Sequence, residues 1–112
     1  MNIGCVVYKK NFEDGSLDAD WRFESQNETN FGTGKAMGNP GNNYSGKYKI
    51  TYFNSYGVAT GVYDLIITEE KETYKLQWFN EDRLKYSGIG MRNGEYLIAS
   101  WKKITEKEKS RV

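Results

Sequence analysis

The chain has 112 residues, 38% of them hydrophobic, with 16 basic and 15 acidic side chains and a formal net charge of +1. This length suits one small domain, and the balanced charge argues against a nucleic-acid-binding protein, whose domain normally carries a basic excess. The sequence has no histidine and one cysteine, Cys5, which excludes Ser-His and Cys-His catalysis, an intrachain disulfide and a cysteine-rich metal site.

The segments between turn clusters are short and rich in Tyr, Val, Ile, Thr and Trp, and they show almost no helical periodicity. Such segments predict β-strands joined by tight turns. In chain order the predicted strands are Ile3–Lys9, Leu17–Glu24, Phe31–Gly38, Gly46–Phe53, Ala59–Thr68, Thr73–Phe79, Leu84–Arg92 and Glu95–Lys102. They form one predicted domain, residues 1–103, followed by a charged C-terminal tail, residues 104–112.

Two positions are predicted from residue type. Asn93-Gly94 is typical of a type I′ hairpin turn, in which both central residues have positive φ. Cys5 is predicted to be a small buried hydrophobic residue in the first strand, because free cysteine is among the most buried residue types.

Short connections between successive strands favour an all-β fold, a single antiparallel up-and-down meander of about eight strands. A meander of this size can close into a small barrel, which leaves no exposed strand edges. An open sheet and a two-sheet sandwich are the alternatives, since the hydrophobic pattern alone does not prove closure.

The second half of the chain carries a family resemblance. Residues 44–52 read YSGKYKITY, 61–67 read GVYDLII, 74–78 read YKLQW and 86–91 read YSGIGM, followed by Gly94, Leu97 and Trp101. This rhythm resembles small calycin-like or avidin-like β-barrel domains of uncharacterised bacterial proteins. The resemblance implies an up-and-down barrel that holds a small apolar ligand in its mouth. Lipocalin-type members begin with Gly-x-Trp, where this chain has Ala19-Asp20-Trp21, so no binding position is transferred.

The third predicted strand places small residues on one face: Gly32, Gly34, Ala36 and Gly38. Glycine weakens a strand by roughly 0.5–1 kcal/mol relative to alanine, so this face requires a reason. One reason is space for a ligand on an inner wall; the others are Trp or Tyr rings that fill the space, or a bend in the strand.

Asp64 interrupts an otherwise apolar strand. A buried carboxylate without a partner is costly, so Asp64 is predicted either to face solvent or to pair with a cation such as Arg22, Lys35 or Arg92. A ligand anchor is the functional alternative.

The leading hypothesis is a non-enzymatic binding module for a small apolar or aromatic ligand. The predicted ligand-binding residues are Trp21, Gly34, Tyr48, Asp64, Trp78 and Trp101. The alternative is a structural or protein-interaction domain with a solid core that acts through self-association as a homo-oligomer. A third hypothesis, an isomerase-like or cyclase-like enzyme, requires a polar cleft that contains a carboxylate with a raised pKa.

No catalytic residue, cofactor or metal site is predicted, and neither nucleic acid nor a membrane is an expected partner. Residues 1–12 have only a short apolar run before Lys9 and Lys10, unlike a secretory signal, and no segment approaches the ~20 apolar residues of a membrane span. We therefore expect a complete cytoplasmic protein.

Overall fold

A computed structural model, which describes residues 2–26 and 28–104, forms eight strands from these residues. The strands are β1 (Ile3–Lys10), β2 (Ser16–Glu24), β3 (Thr29–Met37), β4 (Gly46–Asn54), β5 (Ala59–Glu70), β6 (Thr73–Asn80), β7 (Arg83–Asn93) and β8 (Tyr96–Lys103). Within the described chain, no helix has the length and hydropathy needed to cross a membrane. Of the predicted tail, residues 104–112, all but Ile104 lie outside the described residues.

Each strand pairs antiparallel with the next, and β1 pairs with β8, so the sheet is a closed barrel. The predicted all-β meander and its closure are therefore confirmed. Closure removes both sheet edges, which satisfies the backbone groups that an open meander would expose.

The barrel core consists of the inward-facing side chains of alternate residues. In β1 the buried residues are Gly4, Val6, Tyr8 and Lys10, and the intervening residues are exposed. Cys5 is one of the exposed residues, so its predicted burial is wrong. Successive side chains of a strand point to opposite faces, so a strand that places Val6 and Tyr8 inside the barrel must place Cys5 outside.

Two hairpin turns place charged residues in the left-handed region of backbone space. Lys71 and Glu72 have φ of 49° and 68°, and Glu81 and Asp82 have φ of 51° and 66°. The predicted turn at Asn93-Gly94 is displaced by one residue. Asn93 pairs with Tyr96 across the hairpin, so the turn residues are Gly94 and Glu95, and Gly94 supplies the positive φ of 62°.

One end of the barrel is closed by the loop between β3 and β4, residues 38–45. Tyr44 from this loop is fully buried. Its hydroxyl accepts a hydrogen bond from the Lys10 backbone N–H at 3.0 Å and lies 2.6 Å from the carbonyl oxygen of Glu95, to which it donates. The Tyr48 hydroxyl donates to the Tyr44 carbonyl oxygen at 2.8 Å. The bonds of Tyr44 to β1, β4 and the β7–β8 turn therefore hold the loop against this end of the barrel.

Candidate functional site

The other end of the barrel is bordered by aromatic side chains that are only partly buried. It is formed by the last residues of β2, β4, β6 and β8 and the first residues of β1, β3, β5 and β7. Inward-facing residues near these termini include Trp21, Phe23, Tyr52, Tyr63, Tyr86 and Trp101, which we call the aromatic rim. Partial burial leaves ring surface accessible at this end.

Five of the rim residues form a continuous arc of ring contacts. Phe23 stacks on Trp101 with ring centroids 4.9 Å apart, and Trp101 meets Tyr86 edge to face at 5.3 Å. Tyr86 packs against Tyr63 at 5.6 Å, and Tyr63 against Tyr52 at 6.0 Å. These separations are those of favourable aromatic pairs, so the rings position one another.

The sixth ring, Trp21, is fixed separately. Its indole Nε1 donates to the Thr33 carbonyl oxygen at 3.0 Å, and its ring lies over Gly32, where a Cβ would come within 2.7 Å of it. The ring plane is therefore held against the inner face of β3.

Aromatic rings occupy the space above the small residues of β3. A Cβ at Gly34 would lie 2.9 Å from Tyr52 Cδ1 and 3.1 Å from the Ala19 Cβ, and the Tyr48 ring lies over Gly38. Of the three explanations for this face, the residues therefore fit ring packing. The free ring surface lies at the rim.

Beneath the rim, polar groups meet inside the barrel. The Tyr8 and Tyr52 hydroxyl oxygens are 2.6 Å apart, and Trp78 Nε1 donates to the Tyr52 oxygen at 2.7 Å. Burial raises the pKa of Tyr8 well above its ordinary value and also raises the pKa of Tyr52. Both hydroxyls therefore stay protonated at neutral pH and act as neutral hydrogen-bonding groups.

Burial also governs ionisation within the rim. It raises the pKa of Tyr63 to about 12, with a further contribution from the neighbouring Tyr86. A phenolate is therefore disfavoured at the rim, and the arrangement offers stacking surface and neutral hydroxyls.

The predicted ligand-binding residues fall in three places. Trp21 and Trp101 belong to the rim, and Gly34 and Trp78 both contact Tyr52 just below it. Tyr48 lies at the closed end, where its hydroxyl accepts from Lys10 Nζ at 3.0 Å. The structure thus brings together the first four residues and places Tyr48 apart from them.

Asp64 lies on the outer wall, between inward-facing Tyr63 and Leu65. Lys49 is directly opposite Asp64 in the β4–β5 register, and its Nζ is 3.6 Å from Asp64 Oδ1. The predicted ion pair therefore exists, but the cations predicted as partners were wrong. The register between the two strands decides the partner, and residue type does not reveal it.

Lys10 was not singled out from the sequence, although it is the buried charged residue of β1. It is 6% exposed, and its Nζ donates to the Asn43 carbonyl oxygen at 2.8 Å as well as to Tyr48. Burial lowers the pKa of Lys10. Its contacts assign it to the closure of this end of the barrel.

Phe23, Tyr52, Tyr63 and Tyr86 of the rim were not among the predicted ligand-binding residues. Each lies within a few residues of a strand terminus and has the inward parity of its strand. That combination was visible in the sequence. What the sequence did not reveal was which end of the barrel the long loop would close.

Comparisons of the chain with protein-family models, with curated proteins and with solved structures find no match. The strand pairing by itself establishes the barrel, and no binding residue is transferred from another protein.

Proposed function

We propose that the protein is a non-enzymatic binding module that takes a small aromatic ligand at the aromatic rim. The observation that carries the proposal is the contrast between the two ends of the barrel: one is closed by the buried Tyr44 of the β3–β4 loop, and the other presents partly buried rings. Aromatic rings that are already positioned by one another bind a flat ligand with little loss of side-chain freedom.

The ring surface sets the affinity to expect. A ligand of about 15 non-hydrogen atoms that gains about 0.4 kcal/mol per atom binds with a Kd of tens of micromolar.

Rim binding of this kind agrees with the resemblance to calycin-like or avidin-like domains, and we extend the proposal to membership of that group. The free thiol of exposed Cys5 agrees with a reducing compartment, and we propose a cytoplasmic location.

We expect Tyr63→Leu to weaken binding of the dye 6-propionyl-2-(dimethylamino)naphthalene about five- to tenfold, because it removes one ring from the rim. Tyr96→Leu is the matched control, because Tyr96 lies on the outer wall and is 40% exposed. Dye fluorescence measures binding, and circular dichroism checks that both variants are folded. Equal affinities for the two variants, or no binding by the wild type, would overturn the proposal.

A second candidate function, self-association, is supported by an apolar surface on the outside of the barrel. Val7, Ile89, Met91, Tyr96 and Ile98 point outward from the adjacent strands β1, β7 and β8 and are 38–62% exposed; we call them the outer apolar face. Met91, Ile98 and Val7 are direct neighbours across the three strands. A surface depression lined by Val7, Tyr96, Ile98 and the β7–β8 turn lies beside them.

The dimensions and charges of this surface suit a second copy of the chain. The outer apolar face spans three strands about 4.8 Å apart, and a contact that extends onto the flanking strands β6 and β2 would approach the ~800 Å² that each partner buries in a standard interface. Outward charged residues of β2 are Asp18, Asp20, Arg22 and Glu24, with Arg22 paired to Asp20, and those of β6 include Lys75, which pairs with Glu70. A two-fold axis parallel to the strands would bring the net acidic β2 of one copy against Lys75 of the other.

We expect the wild-type protein to have twice the chain mass of 12.9 kDa in light scattering at micromolar concentration, and Met91→Glu to have the monomer mass. The variant places a charge within the outer apolar face, where dimerisation would desolvate it. Val62→Glu is the control, since Val62 is 44% exposed on the opposite wall and should leave the dimer intact. A monomeric wild type, or dimers in both variants, would contradict this candidate.

A further inference from the structure

Three donor protons meet at two hydroxyl oxygens beneath the rim, and the geometry leaves one of the protons over. Tyr8 and Tyr52 each bring one O–H, and Trp78 brings one N–H. The N–H of Trp78 is directed to the Tyr52 oxygen, and a single proton can occupy the 2.6 Å contact between the two hydroxyls. One hydroxyl proton is therefore left with no acceptor among the described residues.

The location of the two residues decides which hydroxyl keeps the unpaired proton. Both hydroxyls are buried, but Tyr8 has 0% exposure, whereas Tyr52 packs against Tyr63 of the rim. An O–H without an acceptor is costly inside a protein, and a ligand that enters at the rim reaches Tyr52 first. The favoured arrangement has Tyr8 donating to Tyr52, which leaves the unpaired proton on Tyr52, the nearer of the two residues to the rim.

This arrangement makes Tyr52 a strong donor. Its oxygen accepts hydrogen bonds from both Tyr8 and Trp78, and accepting bonds polarises a hydroxyl so that its own proton binds an acceptor more strongly. The ring of Tyr52 packs closely over Gly34, where a Cβ would come within 2.9 Å of Tyr52 Cδ1. This packing keeps the ring in place.

We infer that the ligand of the rim is an aromatic molecule that carries a carbonyl-type oxygen, which accepts the Tyr52 hydroxyl proton. The inference rests on the proposed function and adds the polar half of the ligand to it. Tyr52 is then the residue that orients the ligand, while the surrounding rings supply stacking surface.

Two probes of nearly equal shape test this inference in the wild-type protein. 2-Acetylnaphthalene has the carbonyl oxygen, and 2-ethylnaphthalene lacks it. Competition of each probe with the naphthalene dye is expected to show about tenfold tighter binding of the ketone, which is the effect of one hydrogen bond that the ethyl compound cannot make. Equal affinities would overturn the inference and leave rim binding standing. Failure of both probes to bind would overturn the proposed function itself.

Tyr52→Phe provides the residue-level test. The variant is expected to bind the two probes about equally, with the affinity for 2-ethylnaphthalene within about twofold of the wild-type value, since the ring remains. Tyr96→Phe removes a hydroxyl on the outer wall instead and should keep the preference for the ketone. A preference that persists in Tyr52→Phe would show that another group binds the carbonyl. The wild-type comparison decides the inference even if Tyr52→Phe does not fold.

Discussion

The barrel is expected to unfold cooperatively as the pH rises from about 10 to about 11.5, because burial raises the pKa of many of its tyrosines. The tyrosines with raised pKa values are Tyr8, Tyr44, Tyr48, Tyr52, Tyr63 and Tyr74. In the unfolded chain each loses its proton near pH 10, whereas in the folded barrel it keeps the proton to a higher pH. Above pH 10 the unfolded state therefore binds fewer protons, and the free energy of unfolding falls as the pH rises.

The size of the effect follows from the individual pKa values. Burial raises the pKa of Tyr48 and that of Tyr63 to about 12. It also raises the pKa values of the more deeply buried hydroxyls of Tyr8 and Tyr52. Each such group removes about 1 kcal/mol between pH 10 and 11, and the partly accessible Tyr63 removes less, so the four together remove roughly 3–4 kcal/mol, against a typical total of about 5–15 kcal/mol. Lys10, whose pKa burial lowers, acts in the opposite direction but is a single group.

Parallel titrations by far-ultraviolet circular dichroism and by phenolate absorbance test this expectation. The two signals should change together, and stability should be unaffected by this mechanism below about pH 9. Tyr56→Phe is a matched control, because Tyr56 is 89% exposed and its loss should leave the unfolding midpoint unchanged. Ionisation of the tyrosines near pH 10 with the sheet signal intact would show that they are not buried as described.

The second large effect is expected from alanine at inward glycines that face backbone. In Gly32→Ala the new methyl group would meet the carbonyl oxygen of Phe53, and in Gly88→Ala that of Ser100. Backbone in a paired strand has no room to move, so each variant should lose about 3 kcal/mol, at the upper end of the usual range for overpacking. For a domain of this size the Tm should fall by roughly 10–20 °C.

Thermal unfolding of the two variants tests this, with Ser87→Ala as the control. Ser87 neighbours Gly88 but points outward from β7, and its replacement should change the free energy of unfolding by less than about 0.5 kcal/mol. Gly32→Ala and Gly88→Ala proteins as stable as Ser87→Ala would show that the neighbouring strands are farther apart than described.

The strands and their closure were predictable from the sequence, because a period of two and frequent turn residues act locally. The alternation of inward and outward side chains also explains why the predicted burial of Cys5 in β1 was wrong. Cys5 was assigned by its hydrophobicity, but the large residues Val6 and Tyr8 determine which face of the strand turns inward. Residue type is the weaker signal when the parity of a strand is already fixed.

The candidate site was only partly predictable, because it depends on contacts between distant parts of the chain. Trp21 and Trp101 were identified as large apolar residues on strands, and they lie at the rim. Tyr48 was assigned to the same group but lies at the closed end, because Tyr44 folds the long loop back onto Lys10 and Glu95. The meander itself places Tyr48, near the start of β4, at the loop end of the barrel, but the sequence did not show that Tyr44 would fold inward and close that end.

Chemical-shift mapping by NMR, with 2-acetylnaphthalene added to the wild-type protein, locates the ligand on the barrel. The indole N–H signals of Trp21 and Trp101 should shift together with that of Trp78, which reports on Tyr52. Backbone signals around Tyr44 at the closed end should remain unchanged. Shifts confined to the closed end or to the outer apolar face would contradict a binding site at the aromatic rim.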